Sequence, residues 1–283
     1  MRKVTIKNNN CHINIFDTEL LGATVCLVAG VHGNELCGLQ AIKTFENQLL
    51  TCSPLVKGRL ITIIANCQAI QHQKRFIDYD LNRSFGNSKS FGHELSLAKE
   101  LTPFLQDVDY LIDLHSTSAP TNPFCAGTLT EEHLKLFSMT GIQFYTCGWE
   151  IHRGHTMLID EVDRSGGIGI IVECGQHDAD NTNRVAYDVI VSVLDKLKML
   201  KLTKSSLQNS TSNTVVKIKK IIKSQTHNFY FIRHFENFVS IAENEIVAYD
   251  GDTAIRFPYG YLMVMPTHGR LKQGEEAFGI GIP

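Results

Sequence analysis

The sequence predicts an α/β protein with helices on both faces of a sheet, followed by a small β domain. Between about residues 24 and 200, short apolar segments alternate with segments of helical periodicity. From about residue 213 onward, short strand-like runs between turn signals replace this alternation. These two sequence patterns predict the two parts of the fold.

The first part is defined by its apolar segments, taken in order. Four of them are almost continuously apolar, as strands covered on both faces are. They occupy residues 23–30, 59–66, 110–115 and 167–174. Three segments repeat apolar residues at helical spacing. They occupy residues 36–49, 93–106 and 184–200.

The second part is separated from the first by a change in composition. Residues 202–214 are rich in Ser, Thr and Asn and contain few large apolar residues, which predicts a linker. Six short strand-like runs follow between residues 215 and 266. We therefore predict an α/β domain at residues 1–203 and a small β domain at residues 213–283.

The composition excludes several classes of partner. The 283 residues carry a net charge of −2, which provides no overall attraction for nucleic acid or an anionic membrane. The longest apolar run, residues 23–31, is too short to span a bilayer, and the N-terminus lacks the apolar core of a signal peptide. None of the eight cysteines forms a CxxC pair. These features predict a cytoplasmic protein that binds neither nucleic acid nor membrane.

The strongest chemical signal is the motif HGNE at residues 32–35. His32 and Glu35 are three residues apart where a strand ends and a helix begins, and ligands of open α/β sheets bind at such strand ends. Catalytic zinc typically takes three protein ligands and keeps one position for water. His115, at the end of the third strand, is a candidate third ligand. Asp113 points to the same side of that strand and is placed to hydrogen-bond its imidazole.

Two further motifs add arginines and a carboxylate. The run RFIDYDLNRSFG (residues 75–86) places Arg75, Asn82 and Arg83 close together, and arginine and asparagine side chains suit the recognition of a carboxylate. Glu173 ends a very apolar strand, and a carboxylate held there beside a metal could accept a proton from water.

Each motif taken alone also has a structural explanation. His32 could be a polar strand-end residue, and Glu35 a carboxylate favoured by the dipole at a helix N-terminus. The arginine-rich loop could be held together by its own Arg–Asp pairs. Glu173 could simply meet an arginine, because an unpaired carboxylate is costly in an apolar strand.

Four motifs in chain order resemble those of the aspartoacylase and succinylglutamate desuccinylase family, which is distantly related to the zinc carboxypeptidases. They are HGNE (32–35), DLNRSF (80–85), DLH (113–115) and VECG (172–175). The resemblance covers residues 24–200, with a weaker match at EEAFG (275–279), and it is closer to the aspartoacylases. It implies a zinc-carboxypeptidase-like mixed sheet with helices on both faces. It also implies a zinc-dependent amidohydrolase that releases a carboxylate and a free amino acid.

The resemblance assigns the chemistry to five residues. One zinc ion per chain would be held by His32, Glu35 and His115. Glu173 would act as general base and then as general acid. Arg75 would lie next to the zinc ion and help to stabilise the developing oxyanion.

The resemblance also implies how the substrate is bound. Asn82 and Arg83 would hold the carboxylate of the amino-acid product, and Arg164 would bind a second carboxylate of the substrate. The β domain at residues 213–283 would partly cover the mouth of the site. The expected substrate is therefore a small acidic N-acyl amino acid, similar to N-acetylaspartate or N-succinylglutamate.

The sequence departs from the family in one place. Aspartoacylases have a substrate-binding tyrosine shortly before the EAF-like stretch, whereas residues 268–279 contain none. Lys272, Arg270 or His268 are the candidates to replace its hydrogen bond. The identity of the acyl group and of the amino acid is therefore left open.

Two other functions fit the same motifs. A metallocarboxypeptidase that trims peptides would use the same zinc site with an open cleft. A non-catalytic relative would have kept the fold and a zinc or ligand site without the reaction. The sequence also leaves the oligomeric state open, a homo-oligomer included.

Overall fold

The computed structural model describes residues 1–52, 54–86, 91–154, 156–201 and 213–283. Within these residues the helices are α1 (Cys37–Cys52), α2 (Cys67–Gln71), α3 (His93–Leu101), α4 (Glu131–Thr140), α5 (Glu150–Arg153), α6 (Leu158–Arg164) and α7 (Thr182–Lys196). The strands of the first part are β1 (Arg2–Lys7), β2 (His12–Asp17), β3 (Thr24–Ala29), β4 (Arg59–Ile64), β5 (Tyr110–Thr117), β6 (Phe124–Ala126), β7 (Phe144–Cys147) and β8 (Ile168–Gln176). Those of the second part are β9 (Thr214–Lys223), β10 (Phe229–Phe231), β11 (Ser240–Ile241), β12 (Ala248–Asp250), β13 (Thr253–Ile255), β14 (Tyr261–Val264) and β15 (Glu276–Ile282).

A mixed sheet of twelve strands runs through the described part of the molecule. Its strand order is β1-β2-β4-β3-β5-β8-β6-β7-β9-β15-β14-β11. The four central strands β4, β3, β5 and β8 are parallel to one another, and they are the four strands predicted from the apolar segments. The mixed α/β architecture predicted from the sequence is therefore confirmed.

Helices cover both faces of the central strands. One buried cluster joins α1, α4 and α7 to one face of the sheet, and a second joins α3 and α6 to the other face. Alternate residues of β3 belong to different clusters: Leu27 packs in the first, and Cys26 and Val28 pack in the second. This double burial explains why the strand is apolar along its whole length.

The C-terminal strands continue the same sheet. β9 pairs in parallel with β7, and β15, β14 and β11 follow by antiparallel pairing. A separate sheet of three strands, β10-β12-β13, lies beside them, and a third apolar cluster fills this region. The division into domains at 203 and 213 stays a prediction. Most of the predicted linker, residues 202–212, lies outside the described residues.

Several elements were not predicted from the sequence. β1 and β2 form an antiparallel hairpin at the edge of the sheet, and all six residues of β1 are exposed, so no apolar segment marks it. The helix predicted at 93–106 ends at Leu101, where a 3-10 turn containing Pro103 follows; proline has no N–H to continue an α-helix. Among the described helices, none combines the length and apolar character needed to cross a membrane.

Candidate active site

The sheet brings the ends of three parallel strands together. β5 lies between β3 and β8, and its pairing with β8 sets His115 directly beside Glu173. His32 and Glu35 follow β3 in the loop that leads to α1. Because parallel strands end at the same edge of a sheet, residues far apart in the sequence meet there.

The loop after β3 depends on a glycine. A Cβ atom at Gly33 would come within 2.1 Å of the backbone of Ala69, so no larger residue fits without moving the chain. The Gly33 N–H donates a hydrogen bond of 3.2 Å to the carbonyl oxygen of Arg75. These contacts fix His32 and Glu35 at the end of the strand and join their loop to the arginine-rich loop.

His32, Glu35 and His115 form a buried cluster of the predicted composition. Nδ1 of His32 lies 2.8 Å from Oε1 of Glu35, and Nδ1 of His115 lies 2.9 Å from Oε2 of Glu35. All three side chains are buried, and one ligand atom from each lies within 4.8 Å of the others. The three predicted ligands are therefore brought together.

The remaining ring nitrogen of each histidine is held by a carboxylate. Nε2 of His115 lies 2.7 Å from Asp113, and Nε2 of His32 lies 3.1 Å from Asp80. Carboxylates of this kind fix the tautomer and orientation of histidines that bind a metal. The hydrogen bond predicted for Asp113 is confirmed, whereas the contact between Asp80 and His32 was not predicted.

The donor set fits a zinc ion. Two imidazole nitrogens and one carboxylate converge from fixed directions, and zinc prefers these ligands in catalytic sites. Burial favours neutral imidazoles, but the neighbouring carboxylates raise the pKa of His32 and, more strongly, of His115. Burial favours a protonated Glu35, yet the two histidines hold the pKa of Glu35 well below its usual range. The cluster is thus a carboxylate between two imidazoles that have to lose protons before they can bind a metal.

Glu173 lines the cavity at this cluster, on the strand next to His115. Its Oε2 atom is buried and has no hydrogen-bond partner among the described residues. Burial raises the pKa of Glu173 to about 7; His115 and His32 lower it, and Glu35 raises it further. A buried carboxylate with an open acceptor and a pKa near neutrality suits a group that takes up and releases a proton.

Arg75 contacts the cluster from the loop that follows α2. Its Nη1 atom lies 3.2 Å from Glu35, and its Nη2 atom lies 3.1 Å from Asp80. The side chain is 48% exposed, so the guanidinium also faces the cavity. The Arg–Asp pairing that offered a structural explanation for this loop is therefore present, together with a contact to the predicted metal ligand.

A buried carboxylate from a neighbouring helix holds the same loop. Glu94 of α3 accepts hydrogen bonds from the backbone N–H groups of residues 77–79, at 2.6, 3.0 and 3.0 Å. The side chain of Asn66 donates a fourth, of 3.0 Å. Burial raises the pKa of Glu94, but these donors bring it below its ordinary value. Glu94 thereby fixes the backbone between Arg75 and Asp80.

The cluster opens into a cavity of about 440 Å³. The catalytic region contributes Asn82, Arg83 and Arg153 to its walls, and the C-terminal strands and loops contribute residues 265–267 and Glu276. Arg153 pairs with Glu276 through Nη2 and Oε2 at 2.5 Å. Both parts of the chain therefore enclose the cavity.

The predicted substrate contacts differ in position. Asn82 is buried in the cavity wall; its Nδ2 lies 3.4 Å from Asp113, and its Oδ1 accepts a hydrogen bond of 3.1 Å from Leu158 N–H. Arg83 lines the same wall, and burial lowers its pKa, with Arg153 and Arg75 adding to the effect and Asp80 opposing it.

Arg164 is not among the described residues that line the cavity, and its contact with substrate stays a prediction. It is the last residue of α6, its side chain is 43% exposed, and it pairs with Glu161 of the same helix. None of the three suggested replacements for the family's tyrosine, Lys272, Arg270 and His268, is among the residues that line the cavity. The structure therefore supports neither a substrate contact for Arg164 nor the replacement of the tyrosine by Lys272, Arg270 or His268.

Arg153 is the main site residue that sequence analysis missed. It ends α5, and its guanidinium lies over the ring of Trp149 at 4.7 Å from the centroid. Its Nε atom is buried and lacks a hydrogen-bond acceptor in the part of the chain that the structure describes. The sequence signal was an arginine in WEIHRGH (residues 149–155), which carries no recognisable motif.

Comparison with known proteins places these residues in a recognisable context. Residues 21–190 match the model of the succinylglutamate desuccinylase/aspartoacylase catalytic domain. A probable aspartoacylase from Trichodesmium erythraeum is 35% identical over 108 residues, which cover 34% of this chain and 36% of that protein. An N-acyl-aromatic-L-amino acid amidohydrolase (carboxylate-forming) from Danio rerio is 30% identical over 133 residues, 42% of this chain and 40% of that protein. The matches thus span about a third of the first curated relatives.

A solved structure extends the likeness to the fold. A crystal structure of a succinylglutamate desuccinylase/aspartoacylase from Rhodobacter sphaeroides superposes with a TM-score of 0.77 over 96% of this chain and 88% of that chain. The sequences are 19% identical, so this likeness concerns the fold alone. It includes the C-terminal strands, because it covers nearly the whole chain.

Proposed function

The chain belongs to the succinylglutamate desuccinylase/aspartoacylase family, and from this premise we propose that it is a zinc-dependent hydrolase of a small, negatively charged N-acyl amino acid. One observation carries the proposal. Two histidines and a carboxylate converge on one point, and Glu173, whose Oε2 atom has no partner among the described residues, is the strand neighbour of His115. The residues proposed to hold one zinc ion per chain are His32, Glu35 and His115. When bound, zinc supplies Lewis acidity, which makes water a better nucleophile and an amide carbonyl a better electrophile.

Glu173 is proposed to move the proton during the reaction. Its Oε2 atom has an open acceptor position, and a pKa of about 7 lets the group take a proton from the attacking water and give it up again. The second transfer goes to the nitrogen of the leaving amine. The products are then a carboxylate and a free amino acid.

Arginines are proposed to stabilise and hold negative charge. The guanidinium of Arg75, fixed by Glu35 and Asp80, is placed to stabilise the charge that develops on the carbonyl oxygen. Arg83 and Arg153 line the cavity, and with Asn82 they are proposed to bind the carboxylate of the amino acid. Because the C-terminal residues close one side of the cavity, a small substrate fits better than a peptide.

The decisive experiment is amine release by the zinc-loaded protein from a panel of candidate substrates. The panel contains N-acetylaspartate, N-succinylglutamate, neutral N-acetyl amino acids and short peptides. We expect turnover of an N-acyl amino acid that is lost in Glu173→Gln, which keeps the shape of the side chain and removes its proton-accepting charge. Cleavage of peptides alone would indicate a carboxypeptidase. Zinc binding without turnover of any panel member would favour a binding protein.

A further inference from the structure

A second, smaller cavity opens off the candidate active site. Its volume is about 60 Å³, and we call it the side pocket. Five residues line both cavities, so the side pocket is a branch of the site. They are Arg153, Met157, Ile171, Glu173 and Met265. A group bound near Glu173 therefore has direct access to it.

The walls of the side pocket are mainly apolar. Besides Ile171 and the two methionines, they include Phe124, Ala126, Trp149 and Ile159, all of which are buried. The one polar atom of the Trp149 ring, Nε1, donates a hydrogen bond of 2.9 Å to Thr146, so the ring presents carbon to the pocket. Methionine side chains adapt their shape to an apolar ligand.

The polar groups around the side pocket disfavour an acidic ligand. Among the residues that the structure describes, its lining contains three carboxylates, Glu150, Asp160 and Glu173, and one cation, Arg153. Asp160 Oδ2 already accepts a hydrogen bond of 2.8 Å from Met157 N–H, and part of the charge of Arg153 is balanced by Glu276 through its Nη2 atom. A carboxylate inside the pocket would therefore meet like charges in a partly buried environment.

The proposed chemistry decides which half of the substrate lies at the pocket. Glu173 passes its proton to the nitrogen of the leaving amine, so this nitrogen has to lie near Glu173. The Cα atom is one bond from that nitrogen, and it carries both the carboxylate and the side chain. Arg153, with its buried Nε, lies at the junction of the two cavities, where it is placed to hold the carboxylate. The remaining substituent of Cα then faces the side pocket.

We propose that the side pocket binds the side chain of the amino acid, and that this side chain is short and apolar. The proposal rests on the proposed deacylase function and names its substrate class. The side pocket has a volume of about 60 Å³, whereas an apolar cavity of about 150 Å³ is known to hold benzene, so a short aliphatic side chain fits better than an aromatic one. The negative charge recognised by the arginines is then the α-carboxylate, and an aspartate side chain is disfavoured.

The test measures binding of the free amino acids, which are products and cannot be hydrolysed. Calorimetry with the zinc-loaded protein would compare leucine and methionine with glycine, aspartate and lysine. Burial of the side chain should make leucine or methionine bind about 10-fold or more tightly than glycine. Tightest binding of aspartate or lysine, or no amino-acid binding at all, would overturn the proposal.

A filling variant ties this preference to the side pocket. Ala126 lines the side pocket and not the main cavity, so Ala126→Leu should abolish the advantage of leucine while leaving glycine binding unchanged. Ile159→Ala enlarges the side pocket and should shift the binding preference towards phenylalanine. This second variant tests the assignment if Ala126→Leu does not fold. Equal losses for glycine and leucine in Ala126→Leu would contradict the assignment.

Turnover measurements separate the remaining alternatives. One substrate series varies the amino acid behind an acetyl group, and the other varies the acyl group on glycine. If Ala126→Leu affects only the second series, the pocket holds the acyl group and the proposal is wrong. If nothing is hydrolysed but leucine binding depends on Ala126, the proposed function is wrong, whereas the assignment of the side pocket to the amino-acid side chain is supported. Turnover without any preference for leucine or methionine would contradict the specificity assigned to the side pocket and leave the proposed function intact.

Discussion

At the scale of single residues, His115 shows how the site depends on groups that do not face the substrate. Its imidazole is buried between Glu35 and Asp113, with nitrogen–oxygen distances of 2.9 and 2.7 Å. Asp113 is completely buried. One carboxylate therefore sets the orientation of a proposed metal ligand, although it is not a ligand itself.

Replacing Asp113 should weaken metal binding. We expect Asp113→Asn to lower zinc affinity about 10–100-fold, because the amide no longer fixes the imidazole with a charge-assisted hydrogen bond. Competition with a chromogenic chelator measures this affinity. Asp188→Asn is the matched control, since Asp188 pairs with Arg184 at the surface of α7, away from the metal site. Unchanged affinity in Asp113→Asn would remove Asp113 from the metal site.

Zinc binding should release protons. Neighbouring carboxylates raise the pKa of His32 and His115, which favours the protonated imidazoles, and an imidazole has to be deprotonated to bind a metal. Zinc affinity is therefore expected to rise with pH. Calorimetric titrations of chelator-treated protein in two buffers of different ionisation enthalpy would count the released protons. An identical heat in both buffers would show that the histidines bind zinc without losing protons.

Glu173 should make the chelator-treated protein less stable as the pH rises. Its folded-state pKa of about 7 exceeds the ordinary value of 4.5, so the folded state favours the protonated form. The stability from Glu173 is full below about pH 4.5 and is lost as the pH rises through 7. At pH 8, Glu173→Gln should raise the free energy of unfolding by on the order of 2–3 kcal/mol, since glutamine resembles the protonated acid. Denaturation at pH 5 should show little difference, and a pH-independent difference would contradict this account.

The two arginines that differ in position provide a matched pair. Arg153 lines the cavity and Arg164 is not among the described residues that line it, so Arg153→Ala should raise KM about 10-fold or more while Arg164→Ala leaves KM unchanged. Steady-state kinetics on the substrate found with the panel measure both. A larger effect of Arg164→Ala on KM would support the substrate contact that the family resemblance implies for Arg164.

At the scale of elements, the arginine-rich loop is held by a helix that contributes no residue to the cavity walls. Glu94 in α3 accepts three backbone N–H groups of the loop, and its pKa is lowered by them. Because the folded-state pKa lies below the ordinary value, this stabilisation is present above about pH 4.5 and is lost as the pH falls through the folded-state pKa.

Weakening this attachment should lower stability and activity together. Glu94→Gln is expected to reduce the free energy of unfolding by about 2 kcal/mol at pH 7, because hydrogen bonds to a charged acceptor are among the stronger ones. The loss should shrink at acidic pH. Glu100→Gln is the control on the same helix, since Glu100 accepts hydrogen bonds from the side chains of Asn8 and Asn10, which lie outside the loop. Equal effects of the two substitutions in urea denaturation would show that the loop does not depend on Glu94.

Elements that are continuously apolar could be predicted from the sequence, whereas elements defined by their neighbours could not. Four strands are buried on both faces and are therefore apolar along most of their length, namely β3, β4, β5 and β8. β1 is exposed along its whole length, and β6 has only three residues, so pairing with adjacent strands defines both of them. Local patterns carry no information about such partners.

The same distinction applies to the site. His32, Glu35, His115 and Glu173 lie at strand ends or in short motifs, and the family predicted from these motifs is confirmed. Arg153 reaches the cavity from α5, where Glu276, over 100 residues later in the chain, holds its guanidinium. No spacing rule relates residues brought together in this way.

At the scale of the whole molecule, the sheet joins the two predicted domains. β9 pairs with β7, and Val216, Ile218 and Val264 pack in the same buried cluster as α3 and α6. The side chain of Asn237 also donates a hydrogen bond of 2.7 Å to Thr121 at the cavity. The C-terminal part thus shares both core and site with the rest of the chain.

We expect this shared core to produce a single unfolding transition. In scanning calorimetry, the calorimetric and van't Hoff enthalpies should agree, as they do for a cooperative unit. Val216→Ala should lower the midpoint of that one transition, since Val216 is completely buried in the shared cluster. Two separate transitions would show that residues 213–283 fold independently.

Trp149 gives the side pocket a built-in optical probe. It is the only tryptophan of the chain, its ring lies beneath the guanidinium of Arg153, and one of its faces belongs to the pocket wall. A ligand that fills the pocket or shifts Arg153 changes the surroundings of the indole and therefore its fluorescence. Emission from this single fluorophore reports occupancy without any label, so ligands can be screened by titration in a plate reader before an assay of turnover exists.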